Sequence, residues 1–549
     1  MKGHWLWLAA FGLLGLLGAG GLAAADENPC TPTKPSPASP AKVLKPLEMA
    51  ARIDTLIDAH LAAAKVKPAP LADDAEFCRR LYLDLLGRIP RAMEVHDFLD
   101  DPSPTKRQQL VDTLIELPNY VNHFTNVWRA LLLPQANNPQ AQFLAPSFQD
   151  YLRECALQNK PYDKMVREIL TTPLDGASPM RGAMADPTKK TPIAFYQANE
   201  LKPENLAAST SRLFLGIKLE CAQCHDHPHA QWTRKQFWEY AAFFSGVDGR
   251  GQPGPAATPS EAPQRRSIKI PGTDKLVMAR YLDGKEPRWQ AGTPSRSALA
   301  AWVTTGDNPY FARAAANRLW AQLFGIGLAE PVDDLSDQNP PSHPELLDEL
   351  ANQFVANKYD LKYLIRAITY SKAYQRTSTV TDPSQNEPRL FARMAVKGMS
   401  PEQFYDSLVE ATHFNDQSPR ANPQFGQPDQ SPRAQFLAKF ASQDRRTEYH
   451  TSILQALALM NGKFIEEETS LKNLQHSETL LAVVESPFMT TPGRIEALYL
   501  QTLSRKPRPE ESERLVRYVE SGGPRHDPKE ALTDVFWALL NSAEFMLNH

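Results

Sequence analysis

The sequence predicts a mainly α-helical protein, with two helical domains joined by a Pro/Gly-rich segment that carries a small β-ribbon. Three observations point there. Apolar residues recur at three-and-four spacing through most of residues 48–247 and again from Ser295 to His549, the period that lines one face of a helix. The 549 residues hold only 26 Gly but 47 Pro, which argues against a Gly-rich doubly wound sheet and suits helices bounded by Pro-led loops. Between the helical stretches, residues 248–294 turn to Gly, Pro, Ser and Thr, with short β-branched or alternating pieces.

The elements follow in order. Residues 1–25 read as a signal peptide: Lys2, an apolar run from Leu6 to Leu22, then Ala23-Ala24-Ala25 at the cleavage site. That run is short for a membrane span and loosened by Gly, so the expectation is cleavage and export to the periplasm or cell surface. Residues 26–47 form a linker stiffened by Pro32, Pro35, Pro37, Pro40 and Pro46. A helix over Met49–Leu61 aligns Ile53, Leu56 and Ile57. A second stripe, Phe77, Leu81, Tyr82 and Leu85, is stopped by Gly87 and Pro90. On it Arg80 and Asp84, four apart, can pair weakly. Helices follow near Lys106–Leu117, Tyr120–Leu132, Phe148–Gln158 and Tyr162–Thr171, then a loop over 173–190.

Within 248–294, Ser267–Ile270 and Lys275–Met278 flank the turn Pro271-Gly272-Thr273-Asp274 and predict a hairpin. Helices are predicted at 295–304, 309–323, 343–357, 360–371, 401–412, 449–461, 492–503, 509–520 and 528–547. Ser342-His343-Pro344-Glu345 reads as a capping box, and 413–433, rich in Pro, Gln and Asn, as a long exposed loop.

Charge and motifs narrow the function. Lys plus Arg number 60 against 63 Asp plus Glu, a net charge of −3, so no broad basic surface for nucleic acid is expected. There is no G-x-S-x-G elbow, no H-E-x-x-H and no phosphate loop. Asp333-Asp334 with His343 could serve as acid/base groups, but a Pro-rich loop closed by a helix start explains them more simply. Asn317, Arg318 and Trp320 read as packing and hydrogen-bonding residues between helices.

One segment carries unusual chemistry. Cys221-Ala222-Gln223-Cys224-His225 is a C-x-x-C-H pentapeptide, continued by Asp226-His227-Pro228-His229. Two thiols three positions apart can add to the two vinyl groups of a haem, and the adjacent His can ligate its iron. The stripe Leu213, Phe214, Ile217 and Cys221 predicts that the thiols lie on a buried helix face. Trp232, Phe237, Trp238, Phe243 and Phe244 could wall a macrocycle or simply pack the core. Met180 and Met184 are candidate distal ligands, although Met is commonly packing filler. Two other readings stand beside haem c. Cys221, Cys224, His225 and His227, with His229 in reserve, could hold zinc or another transition metal. Alternatively Cys221 and Cys224 could form a disulfide, structural or redox-active. Asp226 is placed to orient an imidazole. Cys78 and Cys155 read as core residues that could be bridged to each other, leaving Cys30 unpaired.

The run from Arg79 through Arg80-Leu81-Tyr82-Leu83-Asp84-Leu85-Leu86-Gly87-Arg88-Ile89 to Pro90 resembles the opening of a domain common in secreted planctomycete proteins, number 1549 in the unknown-function series. Leu213–Gly216, the motif from Cys221 to Pro228 and Ala241–Phe244 resemble it further. Asp307-Asn308-Pro309, Asn317–Trp320, Phe324-Gly325, Ser342–Leu347 and Asn541–Phe545 resemble its usual companion, number 1553. The resemblance implies an exported protein with no assigned reaction, of a kind encoded near sulfatase-like proteins. Many such proteins carry a separate N-terminal cytochrome c domain; here only linker is read between Ala25 and Leu47, so the C-x-x-C-H falls in the 1549-type domain itself.

The functional expectation is an exported redox protein of cytochrome c character, working with an unidentified redox or secreted protein partner. The alternative is a non-catalytic scaffold or binding protein whose motif holds a metal or a disulfide. A hydrolase acting on sulfated polysaccharide is a third reading, drawn from the resemblance.

Overall fold

The computed structural model describes residues 42–133, 139–174, 190–228, 230–250, 258–290, 292–414, 431–440, 469–470 and 478–549. The signal peptide over 1–25, Cys30 and most of the linker lie outside them, as do Met180, Met184, His229, most of the 413–433 loop and the 449–461 helix. No described helix is long and apolar enough to cross a membrane.

The fold is mainly α, with two-stranded antiparallel pairs as its only described sheets. Pro46–Ala64 packs along Leu361–Tyr370, Pro118–Leu132 along Pro139–Leu157, and Phe311–Phe324 along both Pro344–Ala356 and Pro203–Leu215. Pro begins many of these helices, where its missing N–H costs nothing. The hairpin forms as expected: Ser267–Lys269 pairs with Leu276–Met278, Ile268 opposite Val277. A second ribbon, Val247–Arg250 with Thr258–Glu261, has no alternating apolar pattern to announce it.

The core does not divide at the 248–294 segment. One continuous apolar cluster runs from Met49 to Met394 and takes in Val247, Ile270, Val277 and Leu282 from that segment. A second joins Leu83 and Ile89 to residues between Met399 and Phe545. Arg296 fastens the segment. Buried on the helix Ser295–Val303, it donates to the Leu170 and Thr172 carbonyls and the Tyr196 hydroxyl, and pairs with Glu261.

Several expectations are corrected. Ser342 does not cap a helix: its hydroxyl donates to the Leu328 carbonyl and meets His343 Nδ1, and the helix starts at Pro344 without a side-chain cap. The last long helix stops at Leu540, and Ser542 caps a separate turn, Ala543–Met546. The helix expected over Lys106–Leu117 ends at Leu114, and the one expected from Phe148 starts at Pro139. A helix at Ala92–Asp100 was not expected. Arg80 pairs with Glu76, not with Asp84, because it lies buried under the chain's last residues and reaches the Tyr374 and His549 carbonyls as well. Cys78 and Cys155 are both buried, and both are free thiols.

Candidate functional site

The turn that bears the thiols is set up by the helix Pro203–Leu215. Gly216 ends that helix at φ +64°, a left-handed conformation that favours Gly. A Cβ there would also come within 2.9 Å of Leu335 Cδ1. Ile217 and Leu219 then drop into the core, and a single 3-10 turn, Glu220–Gln223, follows with Ala222 buried beneath it. The helix stops five residues before Cys221, so the expected buried helix face does not form. Cys221 and Cys224 are exposed free thiols, and His225 is exposed beside them.

Backbone anchors hold this turn. The Gln223 carbonyl accepts from Trp238 Nε1 at 3.1 Å and Arg234 Nε at 3.4 Å. The Asp226 carboxylate accepts the Arg234 backbone N–H at 2.7 Å, at the start of the helix Arg234–Ala241. The His227 N–H donates to the Trp232 carbonyl at 2.8 Å. Asp226 does orient an imidazole, but through its backbone: its carbonyl lies 2.7 Å from His225 Nδ1. A carbonyl can only accept, so Nδ1 carries the proton and Nε2 of the neutral ring keeps its lone pair. His227 is half-buried.

The five aromatics belong to the core. Trp232, Phe237, Trp238, Phe243 and Phe244 are all buried. Phe243 stacks on Tyr281, which stacks in turn on Trp302, and Trp232 meets Tyr310 edge-on. Among the described residues, no group of three or more His, Cys, Asp and Glu side chains is arranged to hold a metal ion.

An ion-pair chain runs from the turn into the second helical region. Glu220 pairs with Arg212 at 3.3 Å, Arg212 with Asp333 at 3.4 Å, and Asp333 with Arg318. Asp333 is therefore buried as a counter-ion. His343 lies against His60 and Phe391, and burial, with His60 and Arg389 nearby, pulls its pKa down to about 4. Asn317 exchanges hydrogen bonds with Ala329 and donates to Val332, bracing a loop where a contact between helices was expected. Trp320 stacks on Phe324 in the core.

A second polar cluster was missed. Ten of the thirteen residues of Asp74–Leu86 are buried, Arg79, Arg80 and Asp84 among them. Asp84 accepts from Lys397 Nζ and Asn548 Nδ2, both at 2.7 Å, and from the Tyr374 hydroxyl at 2.8 Å. Arg79 donates to the Thr502, Glu544 and Phe545 carbonyls. Burial lowers the Lys397 pKa, and Asp84 works against that shift. Asp84, His123 and Gln322 help line a cavity of about 20 Å³, room for one water. The sequence signal was the three charges crowded into an otherwise apolar helical run.

Fold and turn together define a helical protein whose exposed thiol–imidazole turn sits on the first of two regions sharing a core. Residues 52–249 match the PSCyt2 family, described as a protein of unknown function (DUF1549), and residues 295–450 match PSD1, described likewise (DUF1553). The chain belongs to the proteins that carry these two regions in tandem. No curated protein and no solved structure matches it.

Proposed function

We propose that the chain is an exported redox protein of cytochrome c character, with one haem held covalently by Cys221 and Cys224 and ligated by His225. The observation that carries this reading is the pairing of two exposed thiols with an imidazole whose Nδ1 is held by the Asp226 carbonyl. That tautomer leaves Nε2 as the ligating atom. Cys221, Cys224 and His225 would hold the haem, whose iron would supply a one-electron couple and could bind a small ligand. The chain's own part is positioning: Trp238 and Arg234 fix the Gln223 carbonyl, and Asp226 ties the turn to the next helix.

The alternative, a scaffold whose Cys221, Cys224, His225 and His227 hold zinc or another transition metal, needs donors that converge on one point. Haem attachment needs the two sulfurs apart and only one imidazole on the metal. Among the described residues no such convergent group is found. The hydrolase reading comes from the resemblance alone; of the acid/base groups considered, Asp333 is engaged in an ion pair and His343 in core packing.

The test is expression for export in a host with haem-attachment machinery. The expected product is red, with a Soret band and a mass increase of one haem that survives denaturation. C221A/C224A abolishes the increase, and H225A keeps the covalent haem but shifts the band. A colourless protein with both thiols open to alkylation, or one holding zinc at one per chain, would overturn the reading.

A further inference from the structure

The hairpin Ser267–Met278 shares a rim with the thiol turn. Arg234 joins them: its side chain reaches the Gln223 carbonyl on one side and, at 2.6 Å, the Pro271 carbonyl in the hairpin turn on the other. Val277 faces inward and is buried, while its neighbours Leu276 and Met278 point out at 67% and 56% exposure. Two large apolar side chains side by side on a short ribbon cost solvation unless something covers them. Leu276 stands opposite Lys269, two residues from Pro271, about 7 Å along the strand.

The stretch that carries this apolar pair is rich in positive charge. In a chain of net charge −3, residues 264–290 hold Arg265, Arg266, Lys269, Lys275, Arg280, Lys285 and Arg288 against Asp274, Asp283 and Glu286, a local balance of 7 − 3 = +4. The three carboxylates pair with Lys269, Lys285 and Arg280. Lys275 and Arg288 are exposed, with no carboxylate partner among the described residues. A small apolar centre in a stretch that also holds two exposed, unpaired cations suits a brief, charge-steered encounter.

We infer that this ribbon face is the docking surface for a partner protein with an acidic patch, seated so that the partner meets the rim of the Cys221–His225 turn. The partner class rests on the redox reading of that turn; the surface itself does not. Charge complementarity selects an acidic partner, and Leu276 and Met278 give it an apolar contact.

The experiment titrates the purified full chain, with or without a Soret band, with flavodoxin, an acidic electron carrier, at low and at physiological salt, following binding by biolayer interferometry. Binding should weaken as salt rises. K275E/R288E should slow association about tenfold and flatten the salt dependence. L276S/M278S should speed dissociation and leave the salt dependence intact. Three results would each overturn the inference: no binding at low salt, both surface variants binding like the wild type, or dextran sulfate binding with this salt dependence while flavodoxin does not. The two proposals fail separately. A protein without a Soret band that still docks through Lys275 and Leu276 loses only the haem reading; a red protein indifferent to these substitutions loses only the docking surface.

Discussion

Asp84→Asn should be among the costliest single substitutions in this chain. Asp84 and Lys397 form an ion pair with side-chain exposures of 3% and 11%. Tyr374 and Asn548 donate to the same carboxylate, and Lys397 also donates to the Leu323 carbonyl. Asn keeps the shape and one acceptor oxygen but strands the ammonium, and leaving one partner of a buried pair uncompensated costs about 3–5 kcal/mol. Lys397 could instead shed its proton. From a free pKa near 10.4 that costs about 4.6 kcal/mol at pH 7, at about 1.4 kcal/mol per unit, which caps the penalty at a similar value. The sign follows. With Asp84 neutralised, the folded-state pKa of Lys397 falls further below its unfolded value, so the unfolded chain binds more protons at neutral pH. The penalty should therefore shrink as pH rises towards 10. Urea unfolding followed by circular dichroism, at pH 7 and pH 9.5, measures it. K397M in the Asn background should recover most of the loss. A pH 7 penalty under about 1 kcal/mol, or no recovery in D84N/K397M, would refute the buried-charge argument.

Three further outcomes are expected. His123 and His343 are both pulled down to about 4, in each case chiefly by burial; their contribution is full above about pH 6.5 and is lost as pH falls towards 4, with a slope of up to about 1.4 kcal/mol per pH unit for each. Urea midpoints across that window check it, and H343F should flatten the slope. Gly87→Ala should destabilise by about 2 kcal/mol or more, because Gly87 sits at φ +71° and an added Cβ would lie 2.3 Å from His123 Nδ1; thermal melting reads this, and H123A should return part of it. In protein made without haem, iodoacetamide should label Cys221 and Cys224 at once and Cys78 and Cys155 only on unfolding, since burial shields the latter pair and pushes both thiols up, Cys155 to about 11; peptide mass spectrometry distinguishes them.

Local rules were readable wherever the chain obeys one rule at a time. Phe77, Leu81 and Leu85 recur on a helix period, Gly87 closes the helix, and a hairpin forms around Pro271-Gly272 from the two expected pieces. The reading failed where distant chain intervenes. Arg80 and Asp84 have the spacing of a surface pair, but their partners include Tyr374, Lys397 and Asn548, which no local pattern can announce. Ser342 has a capping spacing, yet the Leu328 carbonyl takes its hydroxyl. At the candidate site the residue types were legible and the exposure was not. An apolar stripe through Ile217 continues past Gly216, and only the left-handed turn there shows that the helix has ended.

The bond between Asp84 and Asn548 spans 464 residues. During translation the carboxylate leaves the ribosome early, while one of its donors is still unmade. The helix that carries it cannot reach its final buried state until Asn548 has been synthesised, so this non-local closure comes late and the carboxylate waits on a partner 464 residues downstream.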